Sequence, residues 1–212
     1  MIITVDGPAA SGKGTLARRL ADRLGYAHLD TGRLYRAVGL ALLRAGGDPG
    51  DAEAAAQVAR RLDPATLDDP ELAGEAAGNA ASVVGAIPAV RAALLAMQRE
   101  FTAHPPGGRP GAVLDGRDTG TVVCPQAQAK LFLTASAEER ARRRDKELQA
   151  RGEASIYARV LAEIKERDRR DMRRAVAPLK PAEDAVVIDT TGMDADAVFA
   201  AAWHSIRARL DD

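Results

Sequence analysis

Nine residues, Gly7-Pro8-Ala9-Ala10-Ser11-Gly12-Lys13-Gly14-Thr15, constrain this chain more than any other stretch. They follow the apolar run Ile2-Ile3-Thr4-Val5 and lead into Leu16-Ala17-Arg18-Arg19-Leu20-Ala21, so the order is strand, glycine loop, helix. Glycines let successive backbone N–H groups turn toward one point, the helix start adds its positive dipole end, and Lys13 adds a full charge. The product is a seat for a polyphosphate. The loop departs from the usual G-x-x-x-x-G-K-[ST] pattern, because Gly14 stands where Ser or Thr is expected and Thr15 comes one residue late.

A chain of 212 residues suits one α/β domain with an inserted subdomain. Thirty basic and thirty acidic residues cancel, so the overall balance recruits neither nucleic acid nor an anionic membrane. Residues 138–174 differ, with thirteen basic against nine acidic side chains, which suits an anionic substrate. Cys124 is the single cysteine, which excludes an intrachain disulfide and a thiolate metal cluster, and a small buried apolar role is expected of it. His28, His104 and His204 stand far apart and show no ligand spacing. Residues 2–5 are too short for a signal segment and no run reaches membrane-spanning length, so the cytoplasm is the expected compartment.

Leu16, Leu20 and Leu24 at four-residue spacing predict a helix that Gly25 ends, and residues 26–30 read as a short strand. Further helices are expected over residues 33–44, 52–62 and 88–101, the last with Pro88 in its first turn. Residues 63–70 are rich in turn formers, residues 71–84 are weakly amphipathic, and residues 104–111 read as a surface loop. Short apolar runs at 112–115, 130–134 and 185–189 each end in a polar residue. With the first two strands they predict a five-stranded parallel sheet with helices on both faces. Ligands bind beyond the carboxyl ends of such strands, which places Asp6, Asp30, Thr31, Asp115 to Asp118 and Thr134 on one rim.

Three charged groups in Asp115-Gly116-Arg117-Asp118 at a strand end are costly without a ligand. Asp115 suits Mg2+ held with ATP, directly or through water, and Thr15 is a second candidate ligand. Arg167, Asp171 and Arg174 fall at i, i+4 and i+7 on one helical stripe, although a solvated face with internal ion pairs would share that spacing. Arg140 and Arg144, one turn apart, open a charged segment able to close over nucleotide phosphates, whereas Arg142 and Arg143 read equally well as exposed.

At this point the motifs resemble a family. The glycine loop, Leu29-Asp30-Thr31-Gly32 with Tyr35-Arg36, Asn79-Ala80-Ala81-Ser82 with Pro88 and Arg91, Asp115-Gly116-Arg117-Asp118-Thr119-Gly120, and Lys165-Glu166-Arg167-Asp168 through Arg174-Ala175-Val176-Ala177-Pro178 are similar, in this order, to the bacterial cytidylate kinases. The resemblance implies a P-loop NTPase three-layer α/β fold and transfer of the ATP γ-phosphoryl group to CMP or dCMP. It implies a core at about residues 1–32, 105–139 and 175–212, a nucleoside-monophosphate-binding insertion at about 33–104 and a lid at about 140–158. Gly7, Pro8, Ala9, Ala10, Ser11, Gly12, Lys13, Gly14 and Thr15, with Arg140 and Arg144, would bind ATP. Ser82, Arg91 and Asp118 would read cytosine, with Thr31 and Tyr35 nearby. Arg167 and Asp171 would contact the ribose hydroxyls. Arg36, Arg117 and Arg174 would bind the CMP phosphate, and Lys13, Asp115, Arg117 and Arg174 would carry the catalysis.

Cytosine offers a donor at its exocyclic amine and acceptors at O2 and N3, matching an aspartate and a serine–arginine pair. Two departures stand out. Only about sixteen residues separate position 62 from the Asn-Ala-Ala-Ser motif, without the alternating apolar strands that family members often carry there, so a smaller helical insertion is expected. Thr31 stands where serine is common and keeps the hydroxyl. The expected partners are small-molecule nucleotides acting on a monomer, with neither nucleic acid nor membrane. The alternatives are a related kinase with UMP or another acceptor, and a nucleotide-binding regulator that has lost transfer.

Overall fold

The apolar run at the N-terminus becomes the central strand of the sheet. In the computed structural model, which describes residues 1–207 and 209, the elements follow in the order β1 (Ile2–Asp6), α1 (Lys13–Leu24), β2 (Ala27–Asp30), α2 (Thr31–Arg44), α3 (Ala52–Arg60), α4 (Glu75–Val84), α5 (Pro88–Ala103), β3 (Ala112–Gly116), β4 (Ala129–Thr134), α6 (Ala137–Ala150), α7 (Tyr157–Arg173), β5 (Val186–Asp189) and α8 (Ala195–Arg207). The sheet order is β2-β3-β1-β4-β5. β1 runs parallel to β3 and β4, and β4 parallel to β5. This is the parallel α/β arrangement that the five short apolar runs predict.

The chain divides into two compact units, Met1–His28 with Pro105–Asp212, and Leu29–His104. In the first, Ile3, Val5, Val113, Leu131 and Leu133 meet Leu16 and Leu20 of α1 and Val198, Ala202 and Ile206 of α8. Ile3, Leu16, Leu20, Leu131 and Leu133 are among the largest fully buried side chains, and each contributes about 1.5–3 kcal/mol by leaving water. Gly25 takes a left-handed conformation (φ 67°) and ends α1, with its N–H on the last carbonyls. α6 and α7 pack through Ala141, Leu148, Val160 and Ile164. The last part of the expected core, residues 208 and 210–212, lies outside the described residues.

In the second unit Leu34, Val38 and Leu42 of α2 pack with Ala55 and Ala59 of α3, Val84 of α4, and Val90 and Leu94 of α5. α2 and α4 approach so closely that a Cβ at Gly39 would lie 2.6 Å from that of Ala80. Residues 64–73 contain no strand. They form two 3₁₀ turns, Pro64–Asp68 and Pro70–Ala73, each with an aspartate at its N-cap and a proline after it. Arginines on α2 hold these turns. Arg33 Nε donates to Leu67 O at 2.7 Å, Arg36 Nη1 to Leu72 O at 2.7 Å, and Arg44 pairs with Asp69 at 2.7 Å and Glu71 at 3.0 Å. Of the weakly amphipathic residues 71–84, the α-helix takes only Glu75–Val84. Cys124 is half-buried rather than buried, because the chain leaves the preceding turn there for the surface. Among the described residues no single helix is long and apolar enough to cross a membrane.

Candidate active site

The glycine loop starts at the carboxyl end of β1. Gly7 adopts φ 154° and lies so close to β4 that a Cβ would stand 2.3 Å from Leu133 O, which no side chain could share. Ala10 (φ 57°) and Gly12 (φ 90°) reverse the chain, and Gly12 caps the N-terminus of α1 without a side chain. No cap side chain covers the first turn of α1, and helix N-termini of this kind suit an anionic ligand. Lys13 Nζ arcs back across the loop and donates to Pro8 O at 3.2 Å. Thr15 is exposed on the first turn of α1.

Asp115, on β3, is buried. Its Oδ1 accepts from His28 Nε2 at 2.8 Å, and its Oδ2 lies 3.5 Å from where a Cβ at Gly14 would stand. The carboxylate therefore faces the loop at the position that departs from the usual pattern. Mg2+ takes one or two protein carboxylates plus substrate phosphates and keeps several waters, and a single carboxylate oxygen turned toward a phosphate loop fits that donor set.

Beyond β3, Asp118 begins a π turn, Thr119–Val123, whose last step brings Cys124 N to Thr119 O at 2.7 Å. Asp6 holds this turn. Its Oδ1 accepts from Thr119 N at 2.9 Å and Thr119 Oγ1 at 2.8 Å, and its Oδ2 accepts from Gly120 N at 2.8 Å. Burial pushes the Asp6 carboxyl up to about 6 against these three hydrogen bonds, and the nearby Asp118 adds to the rise. The turn in turn buries Asp118 at 5 % exposure.

Asp171 gathers the arginines. Arg117 Nε donates to Asp171 Oδ2 at 2.8 Å, with both side chains largely buried. Burial works to raise the Asp171 carboxyl, but the charges of Arg117, Arg167 and Arg174 and the Arg117 hydrogen bond outweigh it and hold the group below its ordinary value. Three guanidiniums around one carboxylate leave a net positive locus, which favours a phosphate. The stripe predicted for residues 167, 171 and 174 is thus a cluster and not a solvated face. The chain returns to it after α7, where Leu179 N donates to Asp171 O at 2.9 Å.

Arg140 is buried on α6 and bound to Asp168 of α7 by Nη1 to Oδ1 at 3.0 Å and Nη2 to Oδ2 at 2.5 Å, while Nη1 also reaches Ala9 O in the glycine loop at 3.3 Å. Arg144 instead pairs along its own helix with Glu147 at 3.0 Å. Of the two arginines open to an exposed reading, Arg142 is exposed. Arg143 is not: it is three-quarters buried and donates to Thr190 Oγ1 at 3.0 Å, Thr190 O at 2.6 Å and Ser11 O in the loop at 3.5 Å. Sequence reasoning places Asp6 on the rim and leaves Arg143 undecided without giving either a partner, and it gives no role to His28 or Asp168, although Asp168 carries a signal as the last residue of the Lys-Glu-Arg-Asp motif.

The Leu29–His104 unit holds the other candidates. Thr31 is buried at the start of α2. The Arg91 guanidinium lies 5.4 Å from the centroid of the Tyr35 ring and donates to Gly85 O at 3.1 Å, so a buried cation is fixed by a ring and a helix end. Ser82, on α4, has a buried Oγ with no hydrogen-bond partner among the described residues. Arg36 lies against Gly78 and is turned to the carbonyls of Leu72 and Gly74.

A lysine-bearing glycine loop on a parallel sheet, braced by one arginine cluster and supplied with another, defines a P-loop kinase. The family model described as cytidylate kinase matches residues 3–208. The chain is 62% identical over 202 residues to the cytidylate kinase of Rhodospirillum rubrum, covering 95% of each chain. It is 62% identical over 208 residues to that of Paramagnetospirillum magneticum, covering 98% of each. The chain belongs to the cytidylate kinase family. An uncharacterized protein from Eubacterium ventriosum, 13% identical with a TM-score of 0.56 over 98% of this chain and 99% of its own, shares the fold alone.

Proposed function

We propose that the chain transfers the γ-phosphoryl group of ATP to a phosphate oxygen of CMP or dCMP, giving ADP and CDP or dCDP. The observation that carries this reading furthest is the buried Asp171 carboxylate ringed by Arg117, Arg167 and Arg174 in the unit that also bears the phosphate loop. No protein nucleophile is required. The acceptor oxygen attacks the γ-phosphorus as the bond to the β-phosphate oxygen breaks, so the protein has to position two polyanions and neutralise the charge that spreads between them.

In this reading the loop amides and Lys13 hold the ATP phosphates, and Arg36, Arg117 and Arg174 hold the acceptor phosphate. Ser82, Arg91 and Asp118 read the cytosine edge. Arg167 and Asp171 take the ribose hydroxyls. Mg2+ would be held by Asp115, directly or through water, with Thr15 as a further ligand, and when bound it supplies positive charge at the β- and γ-phosphates. The Leu29–His104 unit serves as the acceptor-side insertion and residues 140–158 as the lid that excludes water. Arg140 then has two tasks, bracing the loop through Ala9 and closing on phosphate. The reading has the chain working as a monomer in the cytoplasm.

The test is ADP formation from MgATP with CMP, dCMP, UMP and AMP as separate acceptors beside an acceptor-free control. Fast turnover with CMP and dCMP alone supports the reading. Equal rates with UMP overturn the base assignment, and no turnover with any acceptor points to a regulator that has lost transfer.

A further inference from the structure

His28 and Asp115 meet on adjacent strands, β2 and β3, and nothing in the sequence spacing joins them. An ionised carboxylate only accepts hydrogen bonds, so the hydrogen lies on His28 Nε2 and is donated to Asp115 Oδ1 at 2.8 Å. The aspartate side chain is 4% exposed and the histidine 19%, which keeps the contact largely out of water. The two carboxylate oxygens therefore have different neighbours, because Oδ1 takes the imidazole while Oδ2 is turned to Gly14.

In the usual phosphate loop a Ser or Thr hydroxyl stands at the place of Gly14 and helps to define the cation site from the loop side. That hydroxyl is missing here. We infer that His28 is a positioning residue for the ATP-bound cation, fixing the Asp115 carboxylate so that Oδ2 presents to the phosphate loop. The inference rests on Asp115 as a cation ligand. The hydrogen bond is made to Oδ1, and Oδ2 is the oxygen that lies beside position 14 of the loop, so the imidazole restricts rotation of the carboxylate through the other oxygen. Groups that orient a ligand in this way are worth about 10–100-fold in metal affinity.

The experiment uses Mn2+ as a paramagnetic probe and reads water-proton relaxation of the Mn2+–ATP–protein complex. The wild type is compared with His28→Phe, which keeps a ring and loses the donor, His28→Gln, which restores an N–H donor, and Asp115→Asn. Thermal melts establish that each variant is folded, and His28→Leu replaces the Phe variant if that one is not. Mn2+ affinity in the complex is expected to fall about tenfold in His28→Phe and to recover in His28→Gln, with ATP binding in the absence of metal unchanged. Wild-type Mn2+ affinity in His28→Phe alongside a loss in Asp115→Asn overturns the role of His28 alone. Failure of His28→Gln to recover shows that ring shape, not the hydrogen bond, matters, which also overturns it. Unchanged Mn2+ affinity in Asp115→Asn overturns the ligand reading itself.

Discussion

Asp6→Asn separates an electrostatic cost from a hydrogen-bonding gain. Asp6 is buried at 4% exposure and pushed up to about 6 from an ordinary 3.8, chiefly by burial. The folded protein therefore binds a proton more tightly there than the unfolded chain does. For a group raised on folding, the linked stability is fully present below pH 3.8 and is lost as pH rises through 6. A difference of about two units amounts to about 3 kcal/mol. The Asn variant has no such titration, but its amide places an N–H group against Thr119 or Gly120, which costs about 1–3 kcal/mol at every pH. Urea unfolding of both proteins at about pH 4 and about pH 8, about two units on either side of the folded-state value, reads the difference with the carboxylates other than the neighbouring Asp118 cancelling. The wild type is expected to exceed the variant most at the acid end, with the gap shrinking by about 2 kcal/mol toward pH 8. A gap that does not change with pH refutes the argument. Because Asp6 holds the turn that follows Asp118, the variant is also expected to lose kcat/KM for CMP while ATP binding is retained.

Two further substitutions test the neighbouring braces. Asp168→Ala leaves the Arg140 guanidinium buried without its carboxylate and is expected to cost about 3–5 kcal/mol, read as a lowered urea midpoint; an unchanged midpoint contradicts the pairing. Ser82→Ala removes a buried hydroxyl that has no hydrogen-bond partner among the described residues, so Tm is expected to hold or rise while KM for CMP rises about tenfold, and an unchanged KM removes Ser82 from the base site.

The parallel sheet and the phosphate loop are legible in the sequence because both depend on local order. An apolar run, glycines, a lysine and an amphipathic helix occupy consecutive positions, and Gly7 declares in sequence what its 2.3 Å approach to Leu133 O requires in space. Arg167, Asp171 and Arg174 are legible for the same reason, since one helix fixes their spacing. The strand end places Asp6 on the rim, but the partners of Asp6 and His28 are not legible, because they lie 113 and 87 residues away and meet them only once the strand order is set. Arg143 was ambiguous because its neighbours are as charged as itself, and only the return of the chain at Thr190 turns it inward. The compact insertion shows a milder version: absent alternation excluded strands, but the arginines of α2 that hold its 3₁₀ turns act across about thirty residues of chain and gave no local sign.

The central claim is that the phosphate loop and the acceptor-side residues serve one phosphoryl transfer. Following CMP and MgATP by ³¹P NMR tests it most directly, with the folded Lys13→Ala variant in parallel. CDP and ADP are expected to appear in equal amounts with the wild type and orders of magnitude more slowly with the variant. ADP without CDP, or CDP from Lys13→Ala at the wild-type rate, would contradict the account.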